Sequence, residues 1–467
     1  MTGTSLGSPP LGPPEGSGAT DPTRTARETF ASRFGAIITM VGVALGLGNV
    51  WRFPYMVGRY GGAAFVLFYV LVVLVIGVPG LMAEWALGRH TRRGTVGAFA
   101  RAGLPGGRFA GWFFFVIVIA ATAYYTNVIG WVLYYAVGEV ARAAGAALDA
   151  SHVLPPDTGI STRSLGLQMM CTAAVTLSCV VVLLRGLRSG IERASRVVIP
   201  LLCVILVVLI VRSLTLPNAW TGVEWYILKF EMADLTPRVM MAAIGHTVFS
   251  LSLGGTFMVV YGSYLTDRDS LAANAGWTTF GDTFSGLLAG LAIFPAVFAL
   301  GLEPNSGPGL IFATLPKVFA AIPVGWVFGV LFFVGLLGAG YLSGLAAFEV
   351  LVAGLTDNTA LSRRQAVWLV AAVVFVVAIP PMLNNAVFIP WDLTFGSGMQ
   401  TLGALVAAVT VGWAMDRSEA IRALSAGGDR PVPQWLYLWI RWVIPGALLM
   451  VGVWWLLTEA LRTVRGV

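Results

Sequence analysis

The residues of this chain able to do chemistry are few, and most stand inside apolar runs. Asn49 and Arg52 fall in GLGNVWRFP (46–54), and Glu84 opens EWALGR (84–89). His246 just precedes FSLSLGGTF (249–257), Asp282 interrupts an apolar stretch, and Asp392 follows a proline and a tryptophan. An ionisable group in such a setting is costly to bury and needs a partner, an ion or a watery cavity. These types suit the holding of cations and zwitterions better than covalent catalysis. Three histidines in the whole chain, with no acid–histidine–serine spacing, leave GSG (396–398), SG (343–344) and His246 as weak material for a hydrolase. No GxxxxGK[ST] loop exists to drive a pump, and GLGNVW lacks the third glycine and βαβ setting of a dinucleotide fingerprint. The chain is therefore expected not to be an enzyme.

The elements that must position these residues are membrane helices. Of 467 residues, 57% are hydrophobic and 11% charged, far from the roughly one-quarter charged content of soluble domains. Mean hydropathy is +0.82. A helix needs about 20 apolar residues to cross ~30 Å of hydrocarbon. That rule gives spans at 34–58, 62–88, 109–142, 164–184, 190–215, 238–265, 272–300, 324–356, 364–383, 391–415 and 435–461, an all-α polytopic membrane protein with about eleven transmembrane helices. Arginines crowd the loop 89–108 and the segment RGLRSGIERASR (185–196), which by the positive-inside rule puts the N-terminus in the cytoplasm. The formal charge of +7 is thus a topology signal, and no nucleic-acid partner is expected. Residues 1–33, rich in Gly, Pro, Ser and Thr and without a secretory core, read as a disordered cytoplasmic tail before one transporter domain, 34–461. Cys171, Cys179 and Cys203 lie singly, with no metal or disulfide spacing.

Two spans carry their own breakers. Gly42, Gly46, Gly48 and Pro54 weaken the first helix; Gly254 and Gly255 weaken the sixth. Glycine also serves close helix packing, so either set alone is ambiguous. Interruptions at corresponding places in two halves point to an inverted-repeat transporter. The repeats would be 34–215 and 238–415, with 435–461 an added helix. Unwinding frees amides, which suit a carboxylate, and carbonyls, which suit a cation; an amino acid zwitterion needs both. The stretch GPGLIFATLPKVFAAIP (307–323) is too apolar for a free loop and reads as a re-entrant lid or an interfacial helix.

GLGNVWRFP, preceded by SRFGAIITMVGVA and followed by GGAAFVLFY, resembles the first-span signature of the neurotransmitter:sodium symporters. EWALGR, AYYTN (123–127), SLSLGG (250–255) and IFATLP (311–316) extend the resemblance over residues ~27 to 460. It implies a LeuT-type 5+5 inverted repeat with broken helices 1 and 6, and sodium-coupled import of an amino acid across the cell (inner) membrane by alternating access. By the same resemblance the amides of Leu47 and Gly48 and the Tyr125 hydroxyl would hold the substrate carboxylate. Carbonyls of Ala44, Phe249 and Ser250 would receive the ammonium. Gly46 stands where amine carriers of the family have an aspartate, which favours amino acids. The side-chain pocket would be lined by Val43, Ala121, Tyr125, Phe249, Ser252, Gly255 and Ala347. Small residues at 121, 255 and 347 imply a roomy cavity and a bulky apolar or aromatic substrate, with tryptophan or a large aliphatic as candidates.

The resemblance also implies a first sodium site of the Ala44 carbonyl, Asn49, Ser250, the substrate carboxylate and Asp282, where the family has asparagine. A one-residue gap would put Gly281 there instead, and a plainer reading makes Asp282 an acid paired with an arginine. A second site would use the carbonyls of Gly42, Leu45 and Ala339 with the Ser343 hydroxyl. Leu342 stands where the family has an oxygen ligand, so one or two sodium ions remain open, as do proton coupling and a sensor that has lost coupling. His246 and Gly286 replace polar residues of the chloride-dependent members, which argues against chloride. His246 itself reads as hydrogen-bonded structure or as a proton relay with Asp282. Arg52 with Asp392 would form an outer gate and Arg27 with Asp357 an inner one, against the alternatives of a snorkelling Arg52 and a solvated Arg27. Glu84 would brace the unwound backbone of span 6. The expected partners are the amino acid and the lipid bilayer.

Overall fold

A computed structural model describes residues 28–146, 148–254, 256–305, 310–428 and 430–460. Among them the only regular elements are helices. Eight are long and apolar enough to cross a membrane: Ala63–Thr91, Gly107–Ala143, Thr162–Leu183, Leu187–Leu214, Leu271–Ala299, Gly325–Asn358, Asn385–Ala414 and Gln434–Thr458. The first span is a bent pair, Arg33–Ala44 and Gly48–Tyr60, meeting at 49°. With the bent pair taken as one span, nine pass that test among the described residues. The sixth and ninth expected stretches hold shorter helices, Pro237–Ser250 with Phe257–Gly262, and Arg363–Val377.

Local sequence explains where the broken helices begin and stop. Ser32 accepts a hydrogen bond from the Gly35 amide at 3.0 Å and starts span 1. Gly61, at φ +97°, stops it in the left-handed region that glycine adopts without strain. Thr236 caps span 6 with Pro237 in its first turn. The six residues 28–33 correct the expectation of a free tail. Glu28 accepts from the Leu187 amide at 2.8 Å, Arg188 donates to the Thr29 carbonyl at 2.6 Å, and Glu192 accepts from the Ala31 amide at 3.2 Å. The rest of the tail, 1–27, lies outside the described residues.

The broken spans sit inside, against the long helices Gly107–Ala143 and Gly325–Asn358, which pack along each other. Leu187–Leu214 and Gln434–Thr458 bury only 28% of their apolar windows and form the lipid-facing periphery. A short apolar helix, Leu310–Ala321, lies across spans 1 and 3. Tyr135 donates to the Phe312 carbonyl at 3.0 Å, and the Phe312 ring meets Trp51 and Tyr135 at 6.0 and 5.1 Å between centroids. The lid-like stretch is therefore packed onto the bundle, although 306–309 are outside the described residues.

Candidate substrate and cation site

Span 1 ends its first helix at Ala44, with Leu45 extended at ψ 102°, and resumes at Gly48. The freed groups are taken up locally. The Leu47 amide donates to the Tyr125 hydroxyl at 3.0 Å and the Gly46 amide to Asn49 Oδ1 at 3.1 Å. The Val43 carbonyl accepts from Ser252 at 3.1 Å and from Ser343 at 2.9 Å, tying the break of span 1 to spans 6 and 8. A side chain at Gly46 would stand 2.6 Å from the Ser343 hydroxyl and 2.7 Å from that of Tyr125, so glycine is what fits.

In span 6 the chain turns left-handed at Ser252 (φ 52°), Gly254 (φ 79°) and Thr256 (φ 59°). Two non-glycine residues in that region store strain, which concentrates at functional sites. Thr256 is held by a 2.7 Å hydroxyl contact with Thr95. The Gly254 amide donates to Glu84 Oε1 at 2.7 Å. A Cβ at Gly254 would collide with the backbone of Gln400 and Ala404, so this break is pressed directly onto span 10. Gly255 lies outside the described residues.

Beside the two breaks lies a cluster of fully buried polar groups: Asn49, Tyr69, Ser250 and Asp282, none more than 1% exposed. Asn49 Nδ2 donates to Asp282 Oδ1 at 2.7 Å and to its carbonyl at 2.8 Å; Ser250 donates to Oδ2 at 2.9 Å, and the Tyr69 hydroxyl lies 3.5 Å from that oxygen. Gly281 instead packs on Val41. The plainer reading of Asp282 is corrected too, because no arginine or lysine pairs with it among the described residues. A buried carboxylate served only by neutral donors calls for a proton or a cation to compensate it, since an uncompensated buried charge is expensive. His246 is not part of this network. It sits between Phe53, Tyr69 and Phe65 at 5.6, 5.2 and 6.1 Å, and neither ring nitrogen has a hydrogen-bond partner. Both readings of His246, structural hydrogen bonding and a relay joined to Asp282, are corrected by this aromatic box.

The residues of the second ion site converge differently. Leu45 and Ala339 are fully buried, and a Cβ at Gly42 would stand 3.2 Å from Leu342 Cδ1. Leucine thus packs on the side-chain face of Gly42, while the Ser343 hydroxyl is spent on Val43.

A central cavity of about 50 Å³ opens on Ala44, Gly48, Ala121, Tyr125, Phe249, Ser252 and Ala347. Val43, Leu47 and Ser250 contribute backbone or hydrogen bonds around it without lining it. The expectation of a roomy pocket is corrected: Tyr124 and Phe257 reach in where Ala121 and Ala347 leave space. Thr122 and Gln400 also line it, and Gln400 Oε1 is buried without a partner. The signal missed for Gln400 was an amide in an otherwise apolar span.

Above the cavity the Arg52 guanidinium lies 4.1 Å over the Phe249 ring, within Coulombic range of Asp392 and Tyr124. Tyr124 and Asp392 meet over Gly396, where a Cβ would touch both. On the other side Asp357 accepts from the Gly94 amide at 2.7 Å, and Arg93 donates to its carbonyl at 3.0 Å. Arg27 lies outside the described residues.

Residues 27–143 and 151–462 match the model of the sodium:neurotransmitter symporter family. The chain is 32% identical over 444 residues to YhdH, an uncharacterized sodium-dependent transporter of Bacillus subtilis, covering 90% of this chain and 96% of that one. It is 26% identical to the sodium-dependent dopamine transporter of Bos taurus, over 97% of this chain and 71% of the relative. Its fold superposes on the crystal structure of MhsT in complex with L-phenylalanine with a TM-score of 0.79, at 31% identity, over 92% of this chain and 99% of that one. The chain belongs to the sodium:neurotransmitter symporter family. It has the LeuT-type fold and is a multi-pass sodium-dependent transporter, not an enzyme.

Proposed function

We propose that this protein imports an apolar or aromatic amino acid together with a single sodium ion, by alternating access, with its N-terminus in the cytoplasm of the cell. The observation that carries this reading is the buried carboxylate of Asp282 held against Asn49 and Ser250 beside both helix breaks. Sodium would sit among Asn49, Ser250, Asp282, the Ala44 carbonyl and the substrate carboxylate. The substrate's carboxylate would take over the Leu47 amide and Tyr125 hydroxyl, which hydrogen-bond each other. Its ammonium would be received by the carbonyls of Ala44, Phe249 and Ser250.

A single ion is favoured over two because Leu342 packs against Gly42 and Ser343 is already bonded. Leucine has no donor atom for sodium. Asp282 supplies a fixed negative charge at the ion site, which removes the electrostatic need for chloride. An aromatic substrate is supported by the apolar lining, by the unpaired Gln400 Oε1 that would accept an indole N–H, and by the phenylalanine bound to the similar MhsT. The cavity must widen to take it, through Phe257 and Tyr124, since drug-sized ligands occupy roughly 300–1,000 Å³. Differential binding of ion and substrate to the outward and inward states would drive the cycle, with Arg52 and Asp392 closing outside and Arg27 and Asp357 inside.

The test is uptake of labelled tryptophan, phenylalanine, leucine and alanine by proteoliposomes under an inward sodium gradient. Sodium-stimulated uptake of an aromatic or large aliphatic amino acid, unchanged when gluconate replaces chloride, is the expected result. Failure of sodium to stimulate uptake or binding of any amino acid would sink the proposal.

A further inference from the structure

A groove of about 520 Å³ lies over the last turns of span 10, between the foot of span 3 and span 11. It stands at the end of the bundle that carries the arginine-rich loop 89–108, because a Cβ at Gly103 would be 3.4 Å from the Ala414 carbonyl that ends span 10. Leu104 and Ala110 form one wall, Val406 and Val409 the floor, and Pro445 and Leu449 the other wall. Arg441 is the one charged residue among those that line it. Trp413 and Trp442 line it beside Arg441, both exposed, with their rings 4.4 Å apart between centroids. Exposed indoles gather where a membrane meets water, so Arg441 sits at the level of lipid headgroups. Leu449, eight residues further along the same span, lies roughly 12 Å deeper at 1.5 Å per residue.

Arg441 is not placed as a snorkelling arginine, which stretches outward and spends its donors on water. A Cβ at Gly412 would stand 3.2 Å from Arg441 Cβ and 3.3 Å from its Cγ, so the stem runs through a notch that glycine leaves in span 10. The guanidinium lies 4.7 Å over the Trp413 ring and donates from Nη1 to the Tyr437 hydroxyl at 3.3 Å. Its Nε is buried without a hydrogen-bond partner, and no carboxylate pairs with it among the described residues. A cation folded back over an apolar groove, with a buried N–H unspent, calls for an anionic partner.

From this geometry we infer that the groove binds a phospholipid with an anionic headgroup. The phosphate accepts from the Arg441 guanidinium, whose fork suits two phosphate oxygens, and an acyl chain lies along Val406, Val409 and Leu449. Charge selects the headgroup. Arg101, three residues before Leu104, and Arg108, two before Ala110, are both exposed and pair with no acid among the described residues. The apolar walls select a lipid over a free phosphate, which would leave them bare. On the orientation proposed above the lipid belongs to the cytoplasmic leaflet, but its binding does not depend on that orientation. Seated there, it ties span 3 to span 11 across span 10.

The full chain in neutral detergent is examined by native mass spectrometry and thermal shift with dioleoylphosphatidylglycerol, dioleoylphosphatidylcholine and inorganic phosphate. Wild type is expected to retain one equivalent of phosphatidylglycerol at least about tenfold more tightly than phosphatidylcholine, the worth of charge-assisted hydrogen bonds. Its melting temperature should rise with phosphatidylglycerol and stay unmoved by inorganic phosphate. Arg441→Gln should erase the preference between the two lipids. Gly446 also lines the groove, and a Cβ there would meet nothing within 4 Å. Gly446→Trp should therefore fill the groove without a clash and lose the retained lipid, while the lipid-free melting temperature stays as in wild type. Equal retention of both lipids by wild type, or a preference that survives either substitution, overturns the inference. So does a thermal shift from inorganic phosphate alone, or a dimer mass that Gly446→Trp abolishes, which would make a second copy of the chain the occupant.

Discussion

Replacing Asp282 by asparagine isolates the feature on which the coupling argument rests. The substitution is nearly isosteric and can keep the local hydrogen bonds. Its Oδ1 still accepts from Asn49 at the 2.7 Å site, and its amide can donate to the hydroxyls of Ser250 and Tyr69, which rotate to accept. What disappears is one charge. Two unit charges about 4 Å apart interact by ~4 kcal/mol at an effective dielectric near 20. Roughly half of that is kept by the asparagine's carboxamide oxygen, a neutral acceptor that can still face the ion. The net loss of sodium stabilisation is then about 2 kcal/mol, or roughly thirtyfold in affinity at 1.4 kcal/mol per decade. The assay is the sodium dependence of amino-acid binding to purified protein, wild type against Asp282→Asn, at saturating amino acid. A half-saturating sodium concentration within about twofold of wild type, in a variant of unchanged melting temperature, would refute the reasoning that this carboxylate serves the ion.

Gln400→Leu removes the unpaired acceptor in the central cavity. Tryptophan binding should weaken about fivefold while phenylalanine binding stays within about twofold, read by competition for one labelled substrate. Arg52→Glu should abolish uptake, and adding Asp392→Arg should restore part of it; full uptake by the single variant would remove the outer gate. Glu84→Leu strands the Gly254 amide and should destabilise the protein by about 1–3 kcal/mol in a denaturation series, whereas Glu84→Gln, which still offers an oxygen, should lose less than half as much.

The breaks were legible because their residues are wrong for the context: glycine, asparagine and arginine in apolar helices need a local explanation. Asp282 was reached through the resemblance, by counting without gaps from span 6 into span 7, and a one-residue gap left Gly281 as the alternative. The contents of the central cavity were not legible. Ala121 and Ala347 suggest room, but Tyr124 of span 3 and Phe257, which follows the turn of span 6, line the same small cavity. That turn depends on Gly254 and Gly403 letting two backbones touch, a contact between atoms every residue has. Backbone-to-backbone approach leaves only the weak signature of a glycine, so the contact of span 10 with this break, and Gln400 with it, went unread. His246 was misjudged for a related reason. A polar side chain in an apolar run suggests a polar partner, and the sequence does not show that its neighbours are Phe53, Phe65 and Tyr69.

A fixed charge at the ion site also changes which step of the cycle feels the membrane potential. On the one-sodium reading, sodium and a zwitterion neutralise Asp282, so the loaded carrier crosses without net charge at the site. The empty carrier returns with its carboxylate bare. An inside-negative potential drives that negative site outward, and moving one charge through ~100 mV is worth about 2.3 kcal/mol. The potential therefore acts on the return step, not on substrate entry. Exchange of internal for external amino acid skips the empty return and should be indifferent to voltage, while net uptake should accelerate with inside-negative potential. In Asp282→Asn the loaded site is positive and the empty one neutral, so exchange should become voltage-sensitive. Proteoliposomes clamped by potassium and valinomycin separate the two, and voltage-dependent exchange in the wild type would place the charge somewhere other than Asp282.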